Sequence, residues 1–499
     1  MDSEGYDLLY GGGYSIKDYY MESGNPRQMR GASELLNECA GEVEELLKDD
    51  GIKECQIIRS GATLSAKVPL GKGEEFAKKA EEKFRKRCRT ASAAFVSETY
   101  NGCYKNTKKL AEAKYESRKA VKFTNWEFQN AESSDWPIPK NCISLSSGGL
   151  DADIIKKAPA RCPRCRLRDP RYLYSHDNGY SRDNGEEQYL CEICARREYF
   201  SCKRKYDLRT KCGEKFNYSY EIDTMSKLVD NEGRVALLYG DVNNLGGLKS
   251  KEEFKDDRKL HGDVNDAVTN AVHTAIKKAM DYDKCPANAK IPAKFEIIAL
   301  GGDDICLLLP GDVALLTAKM IAEEFDKTIA EKFDRNESKL TISVAACVAN
   351  DTTAITYMER IVDNALNKVA KKYAHVKGKS VVNLSFFERP SGLFPMTTDE
   401  LDEFIVLLKK AAPAADTTLQ NITATALQNI TEARRELKFD EEFELYFNYL
   451  LSRDIISKIK PVLQSIKAFI QSKSHNVDPY YAWCDFLSWR RQKLGGDKA

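Results

Sequence analysis

The sequence predicts an α+β protein of two ferredoxin-like units, with a small cysteine-bearing module between them and a helical bundle at the C-terminal end. Three observations predict it. Apolar runs of strand length alternate with segments of helical period twice, within residues 1–100 and again within 234–390. Two CxxC pairs stand between these stretches. Beyond residue 397, apolar residues recur at spacings of three and four. A chain of 499 residues is too long for one ordinary core, so several domains are expected.

In the first unit, residues 1–105, the apolar run Tyr6–Tyr10 leads into Gly11, Gly12 and Gly13. A helix is expected over about Gly31–Lys48, where Leu35, Leu36, Val43, Leu46 and Leu47 fall at helical spacing. Gln56–Ile58 and Leu64–Val68 read as strands joined by Ser60-Gly61-Ala62, and Glu74–Arg89 as a basic helix. Strand, helix, strand, strand, helix is the ferredoxin-like order. Residues 106–160 read as a connector, with helix over Lys105–Val121.

Residues 161–229 hold Cys162-Pro-Arg-Cys165 and Cys191-Glu-Ile-Cys194, two knuckles about 25 residues apart. Four thiolates at this spacing make a closed tetrahedral Zn²⁺ site, an inserted zinc ribbon. The segment between them is poor in apolar residues and needs such a staple. Cys202 and Cys212 are substitutes or bystanders.

Residues 230–390 form the second unit. Val235–Tyr239, Phe295–Leu300, Ile305–Leu309, Leu340–Val348 and Val381–Leu384 read as strands. Asp263–Met280, Asp312–Phe333 and Ala354–Tyr373 read as helices, expected on one face of the sheet. Residues 391–499 read as a helical domain, with helices over Leu401–Lys410, Leu419–Leu437, Glu441–Ser452 and Ile455–Ser472.

Lysine plus arginine (77) balances aspartate plus glutamate (76), which excludes a strong overall pull on nucleic acid. Of the basic stretches that could touch RNA, Lys78–Arg89 reads rather as a solvated helix face, and Arg161–Arg171, beside the zinc ligands, as a candidate contact for RNA or protein. No apolar run reaches membrane-spanning length, and the start MDSEGYDLLYGGG does not read as a leader. Most of the fifteen cysteines are scattered singly, as in a reduced, cytoplasmic protein with no membrane association.

The chemistry concentrates in EIIALGGDDICLLL, residues 296–309. Gly301 and Gly302 suit a tight hairpin turn, and Asp303 and Asp304 put two carboxylates at the edge of a buried sheet. The apolar strand of VALLYGDVNNLGG ends in Asp241, which a neighbouring strand position would bring to the same edge. An acidic turn or a capping aspartate accounts for each piece alone. Together they make a carboxylate cage for two Mg²⁺ or Mn²⁺ ions, which activate a ribose hydroxyl and neutralise departing pyrophosphate in nucleotidyl transfer.

The GGDD hairpin with the preceding GDVNNLGG resembles the second palm of the large, polymerase-like subunit of type III CRISPR effector complexes (the Cas-ten family, Cmr/Csm type), a palm related to the GGDEF cyclases. GGGYSIKDYYMESGNPRQMRGAS, residues 11–33, resembles the start of the family's first palm, whose hairpin here, Arg59–Thr63, lacks a carboxylate. The resemblance implies two palms flanking the zinc module. It implies antiviral conversion of ATP to cyclic oligoadenylate second messengers, in a complex with other effector subunits and guide and target RNA. It places the metals on Asp241, Asp303, Asp304 and the carbonyl of Val242. It places the nucleotide against Gly301, Gly302, Asn244, Lys371 and, from the first palm, Ser33. Asn243 stands where many members have a further acidic residue. The family's HD nuclease has no counterpart here, because the one His-Asp pair, His176-Asp177, lacks companion histidines; no nuclease activity is expected. The alternatives are a stand-alone antiphage cyclase making a cyclic dinucleotide and a non-catalytic RNA or protein scaffold.

Overall fold

A computed structural model describes residues 5–120, 138–140, 142–146, 150, 152–174, 188–218, 222–245, 253–286, 288–333, 340–387 and 395–411. His176-Asp177 and the helices expected from residue 419 onward lie outside them.

The first unit runs β1 (Tyr6–Tyr14), α1 (Ile16–Met21), α2 (Pro26–Asp49), β2 (Ile57–Ser60), β3 (Thr63–Pro69), α3 (Gly73–Arg87), β4 (Ser92–Thr99). Its antiparallel sheet has the order β2-β3-β1-β4, the ferredoxin-like arrangement. Three features differ from the sequence reading. The three glycines belong to β1, because β3 and β4 approach so closely that a Cβ on Gly11 would lie 2.3 Å from the Ala94 carbonyl oxygen and one on Gly12 2.1 Å from that of Ala62. The unit also closes with β4, whose SAAFVSET run the sequence reading left unassigned. Helix α2 starts earlier than periodicity suggests, because Asn25 Oδ1 accepts the Gln28 N–H at 3.1 Å and Pro26 fills the first turn. Helix α4 (Tyr104–Ala120) covers the sheet face opposite α2 and α3.

The cysteine module contributes β5 (Cys142–Ser144), α5 (Ala152–Lys156), β6 (Tyr172–Tyr174), β7 (Gln188–Leu190) and α6 (Glu192–Cys212). After β8 (Phe216–Asn217) comes the second unit: β9 (Arg234–Asn243), α7 (Phe254–Ala279), β10 (Ile291–Pro292), β11 (Glu296–Gly301), β12 (Asp304–Pro310), α8 (Ala314–Lys332) and β13 (Thr341–Asn350). It continues through α9 (Ile355–Asn364), a π-helical turn (Ala365–Ala370), α10 (Lys371–Lys377), β14 (Val381–Phe386), β15 (Met396–Thr397) and α11 (Thr398–Ala411). The sheet order β11-β12-β9-β13 repeats the ferredoxin-like pattern, with β14 parallel to β13 and β15 at the edge.

Helices were expected on one face of this sheet, but both faces are covered. Ala236, Leu238, Ile297, Leu307 and Val344 pack with α7 and α8, while their strand neighbours Val235, Leu237, Tyr239, Ile298 and Leu308 pack with Met21, Met29 and Leu35 of the first unit and with α9. Burial on both faces explains why these strands read as unbroken apolar runs. The helix at 401–410 also belongs to this unit, since Leu401, Phe404 and Ile405 are buried in its core.

Candidate active site

The strand register builds the site. Asp304 opens β12 directly opposite Asp241 of β9, and Ile305 follows opposite Gly240. Alternation puts Asp241 on the side of Val235, Leu237 and Tyr239, and Asp304 on the side of Cys306 and Leu308, which is the face turned to the first unit. Two carboxylates directly across a strand pair repel. Asp303 adds a third in the turn.

Asp241 and Asp304 border a cleft between the units, lined by Lys17 and Tyr20 of the first and by Tyr239, Asn367 and Lys371 of the second. Lys371 Nζ lies 2.5 Å from Asp241 Oδ2. The sequence suggested one helix over Ala354–Tyr373, but the wider π turn interrupts it, carries Asn367, and delivers Lys371 to the cleft. Lost solvation raises the Asp241 carboxyl above the usual carboxylate range, and Lys371 opposes this. Asp304 is exposed by surface area, yet protein from both units walls its cleft. Lost solvation first, then the charges of Asp303 and Asp241, push its carboxyl up to about 7 against Lys17 and Lys371.

Hard oxygen donors, mutual repulsion and a lysine already neutralising one of them fit a divalent cation. Their oxygens have not closed to the spacing of the cysteine cluster, which among the described residues is the one group of three or more potential ligands with all donor atoms within 4.8 Å of one another.

Of the other predicted residues, Gly302 takes a left-handed φ of 64° in the turn, and its N–H donates to Asn265 Oδ1 at 3.0 Å. That N–H is therefore committed to Asn265. Gly301 lies in β11, close to Gly61 of the first unit's hairpin, so the two hairpin turns meet. Val242 is buried on the helical side, which leaves its carbonyl for any role at the cleft. Asn244 is exposed at the strand exit with φ 64°. Ser33 sits half-buried in α2 and is not among the residues lining the cleft. Asn243 donates 3.0 Å hydrogen bonds to Thr341 Oγ1 and Ser343 Oγ, so it is tied to β13. Sequence reasoning missed Lys17, Tyr20, Tyr239 and Asn367. The one available signal was the placement of Lys17 and Tyr20 just after the glycine strand.

Cys162, Cys165, Cys191 and Cys194 are buried together. Cys165 and Cys191 Sγ lie 3.8 Å apart, the edge of a tetrahedron with Zn–S bonds of about 2.3 Å. Cys191 precedes α6 and Cys194 lies in its first turn, donating its N–H to Cys191 Sγ at 3.4 Å. Cys202 is exposed and Cys212 is buried in the second unit's core, so both are bystanders.

A ferredoxin-like sheet with clustered carboxylates at one strand end, facing a second such unit, defines a palm-type protein. Residues 234–379 match the family model of Cas10/Cmr2, second palm domain, so this stretch of the chain is Cas10-like. The fold over 98% of the chain matches 70% of Csm1 in an apo Csm1–Csm4 cassette, at TM-score 0.61 and 14% identity. Csm1 of T. onnurineus matches at TM-score 0.59 and 14% identity, over 98% of this chain and 70% of that one. A Csm1–Csm4 cassette in complex with cA4 matches at TM-score 0.59 and 14% identity, over 97% and 69%. At these identities the likeness is one of fold. No curated protein matches the chain. Among the described residues, no helix is long and apolar enough to cross a membrane.

Proposed function

We propose that the chain is a nucleotidyltransferase that joins ATP into cyclic oligoadenylates, acting with other subunits, guide RNA and target RNA of a type III CRISPR effector complex. The observation that carries the reading is the cross-strand pair of Asp241 and Asp304 beside Asp303. A scaffold gains nothing from opposing like charges at the edge of a buried sheet. The matched Csm1–Csm4 cassettes with cA4, cA3 and AMPPNP support adenine nucleotides as the substrate class.

Asp241, Asp303, Asp304 and the Val242 carbonyl would hold divalent ions, which supply activation of the attacking hydroxyl and neutralisation of the leaving pyrophosphate. Lys371 exchanges its ion pair with Asp241 for a phosphate oxygen. The cleft encloses about 70 Å³, room for ions and phosphate oxygens. The four cysteines would hold a structural Zn²⁺.

The test incubates the purified protein with each labelled NTP and Mg²⁺ or Mn²⁺, alone and with partner subunits and target RNA, beside Asp303→Ala/Asp304→Ala. Cyclic adenylates identified by mass spectrometry and lost in the double variant are expected. Absence of any product under all conditions leaves the scaffold. Product made without partners, as a cyclic dinucleotide, favours the stand-alone cyclase.

A further inference from the structure

Lys17 belongs to α1 of the first unit yet lines the carboxylate cleft of the second. Its Nζ lies 2.7 Å from Asp363 Oδ1 and 4.6 Å from the centroid of the Tyr239 ring. Asp363 is fixed in turn by Asn367 Nδ2, which donates to the same oxygen at 2.9 Å. Lys371 enters the same cleft from the second unit. Two ammonium groups from different units thus converge where three aspartates gather.

Their present partners differ. Lys371 neutralises Asp241, a carboxylate that a divalent ion would claim. Lys17 is parked on Asp363, outside the carboxylate cluster, in an ion pair whose two side chains are both 40% exposed. Such a pair is weak and readily exchanged. A compact ammonium with three donors exchanges it most favourably for a multiply charged oxyanion, to which charge-assisted hydrogen bonds are strong.

We propose that Lys17 is a phosphate-binding residue that the first unit contributes to the second unit's site, where it takes the polyphosphate of the bound nucleotide while Asp363 holds it ready in its absence. The nucleotide's phosphates then tie the two units together. This rests on the nucleotidyltransferase reading above.

The test measures binding of AMPPNP and of AMP, each with Mg²⁺, to the full chain by calorimetry, for the unaltered protein, Lys17→Gln, Lys17→Arg and Asp363→Asn. Lys17→Gln should weaken AMPPNP by about 10- to 100-fold, the value of a hydrogen bond to a charged group. AMP binding should change less than about twofold, since AMP lacks the outer phosphates. Lys17→Arg should retain most of the affinity. Asp363→Asn, which frees Lys17, should tighten AMPPNP. Three results overturn the proposal while leaving the nucleotidyltransferase reading intact: unchanged AMPPNP binding in Lys17→Gln, equal losses for AMP and AMPPNP, or an Asp363→Asn loss matching that of Lys17→Gln, which marks a merely structural pair. An unaltered protein that binds neither nucleotide overturns both.

Discussion

Helix α2 carries two glycines whose replacement by alanine should act in opposite directions. At Gly31 a Cβ would lie 1.8 Å from the Arg197 carbonyl oxygen and 2.6 Å from its carbon, where real contacts essentially never fall below 3.0 Å. Both offending atoms are backbone, so α2 and α6 must part by more than an ångström. That contact is flanked by buried polar pairs. Arg27 Nε meets Glu198 at 2.5 Å, Gln28 Nε2 donates to Glu198 at 2.7 Å, and Arg30 Nη2 donates to Ser201 Oγ at 2.7 Å while Arg30 Nη1 pairs with Glu296 at the base of the GGDD hairpin. Overpacking costs about 1–3 kcal/mol, and stretching buried charge pairs raises the loss to about 3–5 kcal/mol. At roughly 2–4 °C per kcal/mol, Gly31→Ala should lower the thermal midpoint by about 10 °C. At Gly41 the nearest atom is the Arg59 Nη1 tip at 3.1 Å, which moves aside freely. Gly41→Ala should gain about 0.5–1 kcal/mol of helix propensity and raise the midpoint slightly. Calorimetry or circular dichroism melting of the two variants reads both effects. A Gly31→Ala midpoint within about 2 °C of the unaltered protein would refute the close α2–α6 contact, because that spacing leaves no smaller cost.

Three further outcomes follow from the same geometry. Chelation of zinc, or Cys194→Ser, should release the module and the start of α6 and lower the melting midpoint; metal analysis that finds no zinc in a stable protein would remove the tetrahedral site. Asp304 is lifted to about 7 in the folded chain, so the metal-free protein should lose stability as pH rises from the ordinary carboxylate value of about 4 to about 7 and level off above it, and Asp304→Asn should flatten the loss; parallel pH–stability curves between about pH 4 and 8 would contradict the assigned environment. Gly302→Ala should cost about 1–2 kcal/mol from its left-handed backbone alone, whereas Gly301→Ala, whose Cβ would sit an ordinary 3.5 Å from Gly61, should be tolerated in a melting assay. Equal midpoints for the two variants would place the turn elsewhere.

What the sequence determined by itself is the set of parts. Apolar runs of strand length around Val235–Tyr239 and Ile305–Leu309 specify buried strands, because covering both faces leaves no polar alternation. The spacing of Cys162, Cys165, Cys191 and Cys194 specifies a tetrahedral site, because two short knuckles present four sulfurs to one ion. The GGDD turn was legible because a hairpin needs a left-handed residue and a buried edge does not tolerate bare carboxylates.

Only the tertiary structure decided how the parts meet. It set Asp304 opposite Asp241, a register in which a slip of one residue would turn the carboxylate to the other face. It folded the helix at 401–410 into the second unit's core and spliced the π turn that aims Lys371. It brought Lys17 into the cleft from more than two hundred residues away in sequence. Local periodicity reports which face of an element is buried, and it carries no information about which distant element does the burying. The cleft residues contributed from outside the hairpin therefore stayed out of reach until the two units were packed.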